Sequence, residues 1–399
     1  MNSIHPNRDI KVGILGDGQL ALMLVEATSR LGSIKNSEKT ISVYGPDRDS
    51  PISKKFPELH LNGTYHNSKK LQDFCHSCDV IILENEFIQS EMLKKIFVNN
   101  ISHTKLIPSL SSYEHFSNKT KQFLFFESLE IPIPSWELVD SKKPLDEIID
   151  HLEKTFFYPL VIKKSSLGYD GMGVKVAKNK SELGEILEKF SWQSCSIIVQ
   201  KFLYLKAECA QGFIFDGEHI TFLPLVQTWQ DNGICHMTSS THSFSRKVYE
   251  KISTYMDCLA STKLRGMFHF EFFITHDDDV YINEGAPRPH NSQHLTMDAC
   301  EESQFDLLMK MAFGLKLATK TLIALPAVMV NILGKRESEN YQLKLPQLPE
   351  GVKIYPKLYE KKSSRKGRKM GHVNIIETTI DAATSLPLLG EKLFSEYEL

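Results

Sequence analysis

The chain has no long apolar run. Its most hydrophobic stretch, LIALPAVMVNIL at 322–333, is short and broken by Pro326, whereas a membrane-spanning helix needs about 20 apolar residues. The start, MNSIHPNRDIKVGIL, lacks the basic-then-apolar layout of a secretory signal. The expectation is a cytoplasmic protein with no membrane partner. An excess of one charge is also missing, because 47 Lys and Arg face 49 Asp and Glu for a net charge of −2. A global pull toward nucleic acid is thereby excluded, and any anion binding must be local. Cysteine is sparse: seven residues, an odd number scattered through 399, fit reduced thiols better than a disulfide framework. Cys75 and Cys78 make one CxxC, but no second pair or downstream histidine cluster completes a zinc site. With no repeat or low-complexity tract and 41% hydrophobic residues, the chain is an ordinary globular protein with room for two or three domains.

The first third alternates strand-like with helix-like runs: KVGILG, QLALMLVEATSRL, ISVYG, DVIIL, QSEMLKKIF. Such alternation predicts a parallel α/β domain. The passage LIPSLSS (106–112) closes it, and the spaced prolines of IPIPSW mark a connector. From Phe157 to Ile220 the order strand, glycine loop, strand, helix, strand, strand reads as α+β. A helix follows near 250–264, then a hairpin over MFHFEFFITHDDDVYINE (267–284). The last 70 residues carry strands around AVMVNIL and HVNIIE, separated by a basic loop, and read as a small C-terminal β-rich unit.

The hairpin allows a geometric argument. If His276–Asp279 is a four-residue turn, antiparallel pairing sets Glu271 opposite Glu284. Directly opposed side chains have Cβ atoms about 4.5–5.5 Å apart, where like charges repel. A hard cation such as Mg²⁺ would neutralise them; a register one residue off would send them to opposite faces. Asn283 precedes Glu284, and GAPRPHNSQHLT follows as a polar loop whose Arg288 can grip phosphate or carboxylate with two prongs. Upstream, the apolar run FYPLVI delivers Lys163 into a loop holding Gly168, Gly171 and Gly173. A point charge beside unobstructed backbone N–H groups suits nucleotide phosphates, and an ordinary tight hairpin is the alternative. The loop is not a Walker A sequence. Gly16-Asp-Gly-Gln-Leu-Ala21 matches the dinucleotide fingerprint, although the helix start it opens would take any phosphate. Finally, KKSSRKGRK (361–369) is six-ninths basic and reads either as a solvated or nucleic-acid-binding patch or as a loop shaped for one phosphate.

In this order the motifs ILGDGQLALML, DVIILENE, GYDGMG, FHFEFF, NEGAPRPHNSQHLT and RKGRKMGH resemble the ATP-grasp superfamily, and within it the 5-(carboxyamino)imidazole ribonucleotide synthases. The resemblance covers nearly the whole chain. It implies an α/β and α+β ATP-grasp fold: a Rossmann-like pre-ATP-grasp domain at 1–112, a nucleotide-binding region at 113–320 with a lid at about 131–205, and the β-rich unit at 321–399. It implies a homodimeric ligase that uses ATP with Mg²⁺, or Mn²⁺ in its place, to join bicarbonate to the amine of 5-aminoimidazole ribonucleotide. Carried over by position, Lys163 and Lys119 would serve the nucleotide phosphates, with Lys121 as an alternative to Lys119. Leu167, Gly168, Tyr169, Asp170, Gly171, Met172 and Gly173 would form the lid loop. Gln200, Lys201, Phe202 and Leu203 match the adenine hinge, Glu208 the ribose acid, and Glu271, Asn283 and Glu284 the metal site. Gly18, Gln19, Leu20, Glu84, Tyr169, Arg288, His290, Asn291, Lys361, Arg365 and Arg368 would hold the ribotide, with Asp170, Lys361 and Arg368 catalytic.

The chain departs from the family pattern at Leu22, Leu167, Met172, Gln200 and Gln293, and carries ENE where EFE is commoner. None of these removes Lys163 or the carboxylate pair. An ATP-grasp ligase with another acceptor or weak turnover, and an NAD-dependent oxidoreductase built on GDGQLA, are the alternatives.

Overall fold

The computed structural model describes residues 10–31, 40–66, 68–84, 88–97, 104–165, 173–231, 233–317, 322, 324–377 and 382–399. The apolar runs of the first third become strands β1 (Val12–Leu15), β2 (Ile41–Gly45), β3 (His60–Asn62), β4 (Val80–Leu83) and β5 (Lys105–Ile107). Helices α1 (Gln19–Arg30), α2 (Pro51–Lys55), α3 (Ser68–His76) and α4 (Ser90–Phe97) lie between them. All strands pair in parallel in the order β3-β2-β1-β4-β5. β1 and β4 are buried at every residue, as a sheet covered on both faces requires. The order reverses between β1 and β4, and crevices for ligands open at the carboxyl ends of strands at such switch points. GDGQL leaves the end of β1 there, and Glu84 follows β4.

A second, antiparallel layer contains β6 (Trp136–Leu138), β7 (Leu160–Lys164), β8 (Val174–Ala177) and β9 (Ile197–Lys201), ordered β6-β9-β7-β8. Its own core, with Ile149, Leu152, Leu183 and Leu187, is contributed by helices Leu145–Thr155 and Lys180–Lys189.

Among the described residues the largest sheet has nine strands. Its main path runs β15 (Val280–Ala286), β14 (Gly266–Thr275), β10 (Leu205–Phe215), β12 (Val226–Asp231), β13 (Ile234–Ser239), β16 (Ala327–Leu333), β18 (Lys369–Ile376), β17 (Lys353–Leu358), with β11 (Ile220–Phe222) beside β10. The C-terminal strands anticipated as a separate unit therefore join the central sheet through the pairing of β13 with β16. Periodicity identifies strands but not their partners, and these two lie far apart in sequence. Phe213, Phe268, Phe270 and Phe272 on this sheet pack against Phe116, Phe123 and Phe126 from the helical segment Lys119–Ser128 and the residues before it. A further core joins α1 to helix Gln304–Ala312 and welds the parallel domain to the middle of the chain. Among the described residues no helix is long and apolar enough to cross a membrane, and the seven cysteines are free thiols.

Candidate active site

The hairpin β14–β15 places Glu271 opposite Glu284, as expected, but by a different route. The turn is tighter than four residues. Thr275 N donates to Asp279 O (3.0 Å) and Asp278 N to Thr275 O (3.0 Å), with Asp278 at φ 58°. This is the three-residue loop closed by a left-handed residue. Ile274 then faces Val280 and Phe272 faces Ile282, a register that would bring Asn283 opposite Glu271. A β-bulge intervenes between Phe272 and Glu271, so Asn283 is the extra residue and Glu284 takes its place. The bulge turns Asn283 into the cleft as well: its Nδ2 lies 3.4 Å from Glu271 Oε2, and its Oδ1 accepts from Lys163 Nζ at 3.1 Å.

Glu208 stands on the same face, two residues along β10 from Ala210, the partner of Glu271. Three carboxylates thus look across at β7 of the second layer, where Lys163 is only 5% exposed and its ammonium lies 5.6 Å from the centre of the Phe123 ring. Lys119 approaches from the start of its helix and pairs with Glu284 Oε2. Its backbone N–H donates to Ser165 O at 2.8 Å, fastening the helix start to the end of β7. Lys119 rather than the exposed Lys121 therefore meets the carboxylates.

Burial sets the electrostatics. Lys163 is pushed down to about 7, by desolvation first and by the Lys119 charge second, against the pull of Glu284, Glu271 and Glu208. Glu208 is pushed up to about 7 by burial, with Lys163 drawing it back. Glu271 and Glu284 split in opposite directions. Glu271 rises through burial and the Glu284 charge, whereas Lys119 holds Glu284 down. The Glu284 side chain is 38% exposed, so water screens part of that pull.

The loop after β15 folds over this face. His290 N donates to Gln304 Oε1 (2.8 Å), and Gln304 Nε2 returns a bond to His290 O (2.9 Å). The His290 ring accepts from Ser292 N at Nδ1, which leaves Nε2 as its N–H, 3.6 Å from Glu271 Oε1. His269 Nδ1 donates to Arg288 O at 2.8 Å and anchors the arginine's backbone. Asn291 is buried and exchanges two amide bonds with Asn331 of β16, 2.9 and 2.7 Å long. Gln293, one of the departures from the family pattern, is fully buried and donates to Pro224 O at 2.8 Å.

At the switch point, Gly18 caps α1 without any side-chain cap, so the first amides of a helix remain for a ligand. A Cβ on Gly18 would sit 2.8 Å from Glu84 Oε1, a close approach only glycine allows. Leu20 points into the core, so its backbone is what it can offer a ligand. The basic loop arrives from the far end of the large sheet. Lys361 Nζ donates to Lys369 O (2.6 Å), Arg368 Nη1 to Ser363 O (2.8 Å), and Arg365 O accepts from Arg368 N (3.0 Å).

In the segment expected to meet adenine, Gln200 is 2% exposed and donates to Pro134 O at 3.2 Å, Lys201 is exposed, and the ring of Phe202 stands 5.2 Å from that of Tyr204. Leu203 is half-buried beside them. Leu167, Gly168, Tyr169, Asp170, Gly171 and Met172 lie outside the described residues; Gly173 accepts from Lys164 N at 2.9 Å. Sequence reasoning missed Lys369, whose charge bears on both Glu271 and His290. It also missed Gln122, whose Oε1 holds Gly285 N at 3.0 Å. Lys369 sits in the quoted RKGRKMGH; Gln122 gave no signal, being one amide in a helix.

Family comparisons follow the same three parts. The ribonucleotide synthetase preATP-grasp domain matches residues 10–110, the ATP-grasp domain 124–305, and the phosphoribosylaminoimidazole carboxylase C-terminal domain 327–385. The N5-carboxyaminoimidazole ribonucleotide synthase of Aquifex aeolicus is 31% identical over 368 residues, covering 92% of each chain. This chain belongs to the N5-carboxyaminoimidazole ribonucleotide synthase family. The chloroplastic phosphoribosylaminoimidazole carboxylase of Vigna aconitifolia is 28% identical across 94% of this chain, which spans 66% of that longer protein. The solved carboxyaminoimidazole ribonucleotide synthase from Aspergillus clavatus, complexed with ATP, superposes with a TM-score of 0.81 at 25% identity, covering 96% of this chain and 99% of that one. Lys163, Glu208, Glu271 and Glu284 lie in the ATP-grasp match with Lys119 just before it, and the GDGQL turn lies in the preATP-grasp match, so the oxidoreductase alternative falls.

Proposed function

We propose that this chain uses ATP to carboxylate the amine of 5-aminoimidazole ribonucleotide with bicarbonate, giving N5-carboxyaminoimidazole ribonucleotide, ADP and phosphate. The observation that carries this reading is the bulged hairpin, which faces Glu271, Asn283 and Glu284 toward Lys163 and Lys119 across one cleft. Family membership supports the substrate.

A divalent cation, Mg²⁺ or Mn²⁺, fits the carboxylate pair, because two opposed oxygen donors, of which Glu271 is raised by burial first and by the Glu284 charge second, are relieved by positive charge. Bound there, it would offset charge on the transferring phosphoryl group. Lys163 and Lys119 would hold the phosphate oxygens in line, Lys119 exchanging its contact with Glu284 for one with phosphate. An oxygen of bicarbonate then attacks the γ-phosphorus as the bond to ADP breaks, leaving carboxyphosphate. The ribotide amine attacks its carbonyl carbon, or the CO₂ it releases; phosphate departs and the nitrogen loses a proton. Carboxyphosphate hydrolyses readily, so water must be kept from it, a part that the family resemblance gives to residues 167–173, with Tyr169 and Asp170 assigned to the acceptor. Gln200–Leu203 would bracket adenine and Glu208 the ribose. Gly18–Leu20, Glu84, Arg288–Asn291, Lys361, Arg365 and Arg368 would take the ribotide. The reading keeps the divisions near 112 and 320 and the family's expected homodimer in the cytoplasm.

The test is phosphate release from Mg·ATP and bicarbonate, with and without 5-aminoimidazole ribonucleotide. Ribotide should raise turnover severalfold or more, and Glu284→Gln should lower it by about 100-fold or more, the scale of losing an electrostatic stabiliser. Ribotide-independent turnover would point to another acceptor.

A further inference from the structure

The switch point holds a buried acid that the mechanism above does not use. Asp17, between Gly16 and Gly18, is 8% exposed and does not cap α1. Its Oδ2 instead accepts two bonds from the neighbouring strand ends, from Asp47 N at 2.9 Å and from His60 Nε2 at 3.1 Å. The fit is specific on both sides: Gly16 turns the chain at φ 123°, and a Cβ on Gly45 would lie 2.2 Å from Asp17 Cγ. A carboxylate suits two donors converging on one oxygen, since charge-assisted bonds are about twice as strong as neutral ones.

What Asp17 holds is an acidic turn. Asp47 Oδ1 accepts from Asp49 N (2.8 Å), Asp47 O from Ser50 N (3.3 Å), and Ser50 Oγ caps α2 through Ser53 N (3.0 Å). That turn meets the basic loop: Asp49 Oδ2 lies 2.9 Å from Lys362 Nζ, and Lys54 Nζ donates to Glu360 O at 3.3 Å. The charge of Asp47 also bears on Arg368. A chain of contacts thus runs from the floor of the β1–β4 crevice to the loop of Arg365 and Arg368.

We propose that Asp17, with His60, is a positioning residue for the ribotide phosphate: through the Asp47–Asp49 turn it fixes where the 361–369 loop stands relative to the open start of α1. The inference rests on the carboxylation reading for the identity of the ligand. Neither Asp17 nor His60 touches substrate in this account.

The experiment measures KM for the ribotide, kcat, and ADP affinity by calorimetry in Asp17→Ala, Asp17→Asn, Asp49→Asn and Asp17→Ala/Asp49→Asn. Asp17→Ala should raise the ribotide KM by about tenfold or more, the scale of a bond to a charged group. Its kcat and ADP affinity should stay within about twofold. Asp17→Asn, which keeps an oxygen acceptor, should recover most of the loss, and the double variant should be no worse than Asp17→Ala. Should Asp17→Ala fail to fold, the exposed Asp49→Asn alone should raise the KM about threefold. An unchanged KM overturns the proposal. So does a lowered one, which would make the acidic turn a competitor for the loop, and so does a parallel loss of ADP affinity, which would mark general damage. Wild-type protein without ribotide-dependent turnover would instead refute the carboxylation reading itself.

Discussion

Lys163 concentrates the site's chemistry at a single atom. Burial and Lys119 depress it to about 7, so at pH 8 most of the population is neutral before any ligand arrives. Phosphate oxygens favour the charged form, so nucleotide binding at pH 8 without divalent metal should take up a proton. Calorimetry in buffers of different ionisation enthalpy measures that uptake, which should fall in Lys163→Met to what the raised carboxyls Glu208 and Glu271 contribute. The position was legible: the sequence sets this lysine at the end of a strand, just before a glycine loop. Its depressed affinity for protons was not, because that depends on Phe123 and Lys119 closing around it, neither of which is near in sequence.

At the scale of elements, the instructive piece is β15. The carboxylate pair was readable from the sequence, yet the assumed four-residue turn was one residue too long and the bulge at Asn283 made up the difference. Bulges leave little trace in hydrophobic alternation, since one extra residue can sit between two apolar ones unnoticed. The strand's seating is equally specific. A Cβ on Gly285 would stand 2.5 Å from Phe116 Cε1, inside a cluster where Phe116 is 1% exposed. Gly285→Ala should therefore destabilise the protein by about 1–3 kcal/mol, the usual cost of overpacking. A lower urea midpoint with an unchanged slope would record it.

For the whole molecule, the parallel domain could be anticipated in outline from alternating strands and helices, whereas the union of central and C-terminal strands into one sheet could not. That union rests on the pairing of β13 with β16 and on long-range partners such as Asn291 with Asn331, and the joined sheet encloses buried histidines. His269 and His372 are both held down to about 3, chiefly by burial. Each is neutral in the folded protein where the unfolded chain, near 6.5, binds a proton. The unfolded state therefore holds more protons between about 6.5 and 3, and the stability present above 6.5 is lost as pH falls through that window. Glu208, raised to about 7, works in the opposite sense above about 4.5, so the histidine effect is isolated by difference. Replacing His372 by Gln should flatten the acid side of the profile of unfolding free energy against pH relative to wild type. Chemical denaturation at pH 4, 5, 6 and 7 checks this.

The outer edge of β15 gives the molecule a gauge of its own. Ile282 N donates to Pro132 O at 2.8 Å, so the strand bearing Asn283 and Glu284 is bonded to the connector that carries the second antiparallel layer. A movement of that layer relative to β15 would have to stretch this bond. The rate at which the Ile282 amide exchanges its hydrogen for deuterium therefore reads out how often the two halves of the cleft part company. Nucleotide that clasps both halves should slow that exchange.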